Sequence, residues 1–131
     1  MAATGAALLT ASVLGACSGT ATGFARVVEL KAHHSRFDPA SVEVRRGTTV
    51  RFVVHNEDPI AHELIVGDEA THDRHEKGTE AAHGERAGGV TVPAATTRST
   101  TFRFDRPGRV LFGCHLPGHW AYGMQGVVVV T

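Results

Sequence analysis

Near its C-terminus this 131-residue chain reads Cys114-His115-Leu116-Pro117-Gly118-His119-Trp120-Ala121-Tyr122-Gly123-Met124. A thiol, an imidazole and a thioether stand five residues apart on one short segment, at Cys114, His119 and Met124. Two His and a Cys thiolate with a weak axial Met make up the ligand set of a blue-copper electron-transfer site. These three supply all of that set except one His, which must come from another strand pair, or the site would be a floppy loop chelate. The plain alternative is a core Cys and Met beside a surface His, since free Cys and Met are usually buried hydrophobes.

Strand alternation decides where these side chains point. Val110, Phe112 and Cys114 fall on one face of a strand. Val110 and Phe112 belong in a core, so Cys114 points inward at the strand's end. A buried thiol in apolar surroundings has a raised pKa unless a metal holds it as thiolate. His119 follows in a loop with Pro117 and Gly118, and Met124 comes just before the last strand. The best source of the second imidazole is His62, which opens a strand after the turn at Asp58-Pro59. His55 lies on the face opposite Val50, Phe52 and Val54, and His33 and His34 stand near a break before Phe37 without a matching context.

The rest of the chain reads as strand after strand. Arg26 to Lys31, Ser41 to Arg45, Val50 to Asn56, His62 to Val66, Thr100 to Phe104, Val110 to Cys114 and Gly126 to Thr131 are β-prone, several with clean alternation, and Gly, Pro and Asp turns separate them. Short alternating strands with such punctuation indicate an all-β sandwich or barrel. The segment 67–89 is the exception: polar, Gly-punctuated and rich in Glu and His. Residues 68–77 can form a short helix capped by Asp68 or Thr71. His72 and His75, with Glu76, would share a face of that helix, and Glu80, His83 and Glu85 lie nearby, so a second metal is conceivable there. A solvated polar loop is the favoured reading of this insertion.

Residues 1–22 are set apart from the domain expected over residues 23–131. No charge precedes Arg26, and the apolar run from Ala6 to Leu14 is too short to span a bilayer. Small residues close it, in the manner of an export signal. Thirteen Lys plus Arg balance thirteen Asp plus Glu, so no global field draws the chain to nucleic acid or anionic lipid. Cys17 and Cys114 are its two cysteines.

From Arg26 to Thr131 the sequence resembles the cupredoxin family, the plastocyanin-like and azurin-like type 1 blue copper proteins. The carriers are Phe37-Asp38-Pro39 with Ser41-Val42-Glu43-Val44, then Gly47 with Thr49-Val50-Arg51-Phe52, Asn56 and His62, and above all Phe112-Gly113-Cys114 through His119 to Gly123-Met124-Gln125-Gly126. The resemblance implies an antiparallel Greek-key β-sandwich. It also implies one type 1 copper ion with His62, Cys114 and His119 as equatorial ligands and Met124 as the axial one. Glu63 departs from the family, where an Asn often follows the first His and braces the ligand loop. Leu14-Gly15-Ala16-Cys17 resembles a lipobox, which implies cleavage before Cys17, a lipid on its sulfur, and a place at the cell envelope outside the cytoplasm.

The function expected is one-electron transfer between exported or membrane-associated redox partners, which would dock near His119, Trp120 and Tyr122 on a monomeric carrier. Copper storage or delivery is the alternative, with the His-rich insertion as its motive. The Cys114-His115 pair resembles multicopper oxidases, but their cluster needs His-x-His pairs and this sequence contains none. The chain is therefore read as a carrier rather than an enzyme, with His115 as an exposed loop residue.

Overall fold

The computed structural model describes residues 26–78 and 86–131. The segment 1–22 with Cys17, and Glu80, His83 and Glu85, lie outside the described residues. In chain order the elements are β1 (Arg26–His33), β2 (Arg36–Asp38), β3 (Ser41–Val44), β4 (Thr48–Asn56), β5 (His62–Gly67), α1 (Glu69–Glu76), β6 (Gly89–Val92), β7 (Thr97–Phe104), β8 (Gly108–Gly113), α2 (His119–Tyr122) and β9 (Gln125–Val130).

The strands form a sandwich of two sheets, ordered β2-β1-β4-β7 and β3-β9-β8-β5-β6. The all-β sandwich expected from the sequence is thus observed. Most neighbours are antiparallel, while β1 with β4 and β3 with β9 run parallel. Alternation builds the core from both sheets: Val28, Leu30 and Ala32 of β1 and Val50, Phe52 and Val54 of β4 face Val42, Val44, Leu64, Phe112, Val128 and Val130. At its centre Phe112 meets Phe37 and Phe52 with ring centroids 5.7 and 6.3 Å apart. The first is edge-to-face and the second tilted, and such aromatic contacts add to the apolar area removed from water.

Strand β5 breaks the alternation, for all of its residues from His62 to Gly67 are buried. Its inner side faces the core, and α1 packs over β5 and β8 on the outer side. The Asp68 carboxylate caps α1 by accepting the Thr71 N–H at 2.8 Å, as residues 68–77 led us to expect. The solvated-loop reading of this stretch is corrected. His72 and His75 are buried, because the helix roofs a strand that would otherwise expose apolar side chains.

Three elements were not legible in the sequence. Strand β2 is three residues long, and β6 follows directly on the polar insertion. The stretch read as a loop carrying His119 is a single helical turn, α2, bounded by Gly118 and Gly123 at φ 83° and 98°. Those left-handed positions start and stop the turn within the span between Cys114 and Met124. Among the described residues, no helix is long and apolar enough to cross a membrane.

Gly113 at the end of β8 leaves room for Trp120. A Cβ there would stand 2.4 Å from the indole and 3.1 Å from the Met124 carbonyl oxygen. Gly113→Ala should therefore displace α2 and cost about 1–3 kcal/mol of stability, measured by urea denaturation, whereas Gly89→Ala, whose added Cβ would meet only ordinary contacts at 3.4 Å and beyond, serves as the control for adding a methyl at a strand glycine.

Candidate metal centre

Cys114 follows β8 directly, and its side chain is fully buried. The phase of β8 points it inward with Phe112, as alternation requires. Its N–H donates to the Met124 carbonyl at 3.1 Å, and the Met124 N–H donates to the His119 carbonyl at 3.0 Å. The segment from Cys114 to Met124 is therefore a closed loop with its ends tied together. His62, the first residue of β5, comes from a separate strand and is also fully buried.

These residues converge. One ligand atom each from His62, Cys114 and His119 lies within 4.8 Å of the others. The two Nδ1 atoms are 3.2 Å apart, and Cys114 Sγ is 3.3 Å from His119 Nδ1. The structure thus brings together three of the side chains singled out by spacing and strand phase. Met124 is buried in the same loop. His55 faces outward to Thr97 Oγ1 at 3.0 Å, and His33 stands beside the carboxylates of Glu57 and Asp58, outside the cluster.

What orients His62 was missed in the sequence. Its Nε2 lies 2.8 Å from Asp58 Oδ2. A carboxylate accepts, so the ring proton sits on Nε2 and the lone pair of Nδ1 is turned toward Cys114 and His119. Asp58 Oδ1 also accepts the His34 N–H at 2.7 Å, and Oδ2 the Ser35 N–H at 2.9 Å. Burial pushes the Asp58 carboxyl up. The Ser35 N–H, the His62 ring and the His34 N–H outweigh that and hold it at about 2. Asn56 fixes the turn that carries Asp58: its Oδ1 accepts the Asp58 N–H at 3.0 Å, and its Nδ2 lies 2.8 Å from the Ile60 carbonyl. The only signal in the sequence was an Asp four residues before the His, inside a turn that needed an Asp for other reasons.

The position that departs from the family pattern is filled differently but does similar work. Glu63 donates its N–H to Cys114 Sγ at 3.4 Å, and its carboxylate accepts the His115 N–H at 3.2 Å. The brace across the ligand loop is therefore a buried carboxylate. His115 itself is not the exposed loop residue we expected: its side chain is 2% exposed, and its Nδ1 lies 2.7 Å from Glu76 Oε1. Trp120 stacks on His72 and His115 at 4.6 and 4.5 Å between centroids and stays part-exposed. Tyr122 remains 59% exposed, under the Arg36 guanidinium.

The donors suit a soft or borderline cation. Burial pushes the Cys114 thiol up to about 11 against the help of the Glu63 and Leu116 N–H groups. Only a tightly held cation can take the place of its proton near neutral pH. Burial and the neighbouring His62 both lower the pKa of His119, which keeps its imidazole neutral and its lone pair available. One thiolate and two imidazoles form the trigonal part of a blue-copper site.

The Asp58 carboxylate gives a pH test in metal-free protein. Its folded value lies below its ordinary one of 3.8, so the folded state binds fewer protons than the unfolded state at intermediate pH. This stabilisation is complete above about pH 4 and is lost as pH falls toward 2. It amounts to roughly 2 kcal/mol. Asp58→Asn should remove that acid-dependent component, read as a flatter dependence of urea-unfolding stability on pH between 4 and 2.

A family of copper binding proteins, the plastocyanin/azurin family, matches residues 25–131. The chain is 40% identical over 99 residues to the copper-resistant cuproprotein CopI of Rubrivivax gelatinosus; the aligned part is 72% of this chain and 59% of that relative, so the chain spans less than two thirds of its length. A copper-resistant cuproprotein CopI of Pseudomonas aeruginosa is 28% identical over 137 residues, covering 80% of this chain and 76% of the relative. Among solved structures, auracyanin A, a "blue" copper protein from Chloroflexus aurantiacus, superposes with a TM-score of 0.64 at 24% identity, over 80% of this chain and 98% of the other. That likeness bears on the fold; the family match bears on the metal. With the His62, Cys114 and His119 donors converging inside the matched span, the chain belongs to the plastocyanin/azurin family of copper binding proteins, and its cofactor is copper.

Proposed function

We propose that this chain is a type 1 copper protein carrying single electrons between exported or membrane-associated redox partners. The observation that carries the reading is the pre-set convergence of His62, Cys114 and His119 on one point, with the thiol and one imidazole fully buried. Bound there, copper supplies a centre that accepts and returns one electron. The chain's part is to hold the donors still. Asp58 fixes the ring and tautomer of His62, Glu63 ties β5 to Cys114 and His115, and the tied loop limits how far His119 can swing. Met124, buried within that loop, would complete the ligand set with its thioether, by its resemblance to the family pattern. Donors that cannot rearrange keep the geometry similar in both oxidation states, which favours rapid exchange.

His119 is the member of the cluster that reaches solvent. We take it as the route for electrons, with weak partners docking on the surface formed by Pro117, Gly118, Ala121 and Tyr122, all exposed. Small transient interfaces suit a carrier that must release its partner. Export rests on the apolar segment ending at Leu14-Gly15-Ala16-Cys17, with a lipid on Cys17 as the tether. The names of the relatives favour a second reading, copper storage or delivery in copper resistance.

Copper(II)-loaded protein should show a strong thiolate-to-copper charge-transfer band that vanishes in Cys114→Ser, and a reversible one-electron wave by voltammetry; no band in the loaded wild type sinks the type 1 reading, and a band without a reversible wave favours storage. Copper uptake should release about one proton from Cys114, so apparent affinity should rise about tenfold per pH unit between pH 8 and 10, measured by calorimetry in buffers of differing ionisation enthalpy. Tyr122→Ser should leave the band unchanged and slow electron exchange with a protein partner severalfold; an unchanged rate removes Tyr122 from the docking surface.

A further inference from the structure

A second pair of imidazoles, His72 of α1 and His115 of the ligand loop, lies next to the copper donors and is not among them. His72 of α1 is 2% exposed, and the His115 side chain is equally buried. His72 Nδ1 is 2.8 Å from His115 Nε2, with ring centroids 5.1 Å apart. The pair His62 and His119 in the main site shows nearly the same arrangement, with nitrogens 3.2 Å and centroids 5.0 Å apart. Both rings of the second pair lie against the indole of Trp120 at interplanar angles of 20° and 19°. They lie side by side on one face of that indole.

With both rings neutral, no placement of the protons closes this pair. His115 Nδ1 faces the Glu76 carboxylate at 2.7 Å; the carboxylate accepts, so in the neutral ring the proton sits on Nδ1 and Nε2 carries a lone pair. If His72 donates from Nδ1 to that lone pair, its own Nε2 becomes a bare acceptor. That atom is buried and has no hydrogen-bond partner. The carbonyls of Leu111 and Gly67 favour an N–H on the His72 ring, and with Nδ1 turned to His115, Nε2 is the nitrogen left to carry it. Two lone pairs then face each other at 2.8 Å. One arrangement strands a buried polar atom, at about 1–3 kcal/mol; the other sets lone pair against lone pair. A cation between the facing nitrogens, a shared proton or a metal ion, meets both lone pairs and leaves the His72 Nε2 free to carry its N–H; burial and the neighbouring His115 and His75 work against an extra proton on His72 itself.

The geometry points to a second copper site, in which His72 Nδ1 and His115 Nε2 hold a copper(I) ion between them. Two imidazoles facing each other suit the near-linear two-coordination that copper(I) accepts, and imidazole is a ligand that copper takes readily. The nitrogens must part by about 1 Å to admit the ion, given metal–nitrogen bonds of about 2 Å. Glu76 plays the outer part usual at metal-bound His, fixing the tautomer and raising the basicity of His115. His75 is not counted as a ligand: its Nδ1 lies 2.7 Å from the Thr71 carbonyl, and its Nε2 is 3.5 Å from an Arg86 nitrogen. This site does not rest on the electron-carrier reading, because it shares no ligand with His62, Cys114 and His119.

The test is an anaerobic copper(I) titration of the full chain against a competing chromophoric chelator. Wild type should bind two equivalents, His72→Gln one, Cys114→Ser one, and the double variant none. After oxidation, His72→Gln should keep the thiolate-to-copper band, which shows that the first site and the fold survive. Glu76→Gln, on a half-exposed residue, should weaken the second equivalent about 10-fold or more without unfolding α1. One equivalent in wild type overturns the proposal. So does a second equivalent that persists in His72→Gln, which would place that copper at other His residues. Failure of the Cys114 equivalent with retention of the His72 equivalent would count against the blue-copper reading alone.

Discussion

The Asp58 carboxylate is the constraint on which the metal end of the sandwich depends. It sits in a turn, buried, and is held ionised by two backbone N–H groups and an imidazole. The N–H groups belong to His34 and Ser35, both at positive φ, 50° and 52°. One acid therefore fastens the β1–β2 turn of one sheet to the first residue of β5 in the other. A charge buried this well is tolerated because its acceptor capacity is met. The same contacts decide the tautomer of His62. The fold and the ligand geometry thus share one interaction, and a change that disturbs the turn should be felt in the ligand set.

A second layer of support comes from groups that touch the ligands' neighbours. Glu63 reaches across to the N–H of His115 while its own N–H points at the thiol sulfur. Arg36 of β2 donates to the Tyr122 carbonyl and lies over the Tyr122 ring at 4.2 Å, which pins the far end of α2. Trp120 fills the space above Gly113. Each of these contacts joins the loop to a different strand, so the loop is held at its start, middle and end. Such a scaffold matches the demand that a site's donors be set before the ion arrives.

Much of this was legible in the chain itself. The spacing of Cys114, His119 and Met124, and the phase of Val110, Phe112 and Cys114, were local patterns, and local patterns survive folding. His62 was legible because a His at a strand start after a turn has few other uses. The rest was not local. Asp58 reads as an ordinary turn residue until β1 and β5 are brought together. His115 reads as exposed because nothing near it in sequence covers it; α1, some forty residues earlier, does. The polar character of α1 concealed its role for the same reason. Its buried face is made of His72 and His75, and no hydrophobic stripe marks it. The placements that escaped were those set by partners distant in sequence, where side-chain polarity gives no sign of burial.

The depth of the Cys114 sulfur has a chemical consequence beyond ligation. Peroxide and disulfides react with thiolates, at rates that follow the thiolate fraction and access to the sulfur. Full burial and a thiol pushed up to about 11 make both small. Before it meets its metal, the sulfur is therefore slow to form mixed disulfides or sulfenic acid. The packing that places the donor also preserves it.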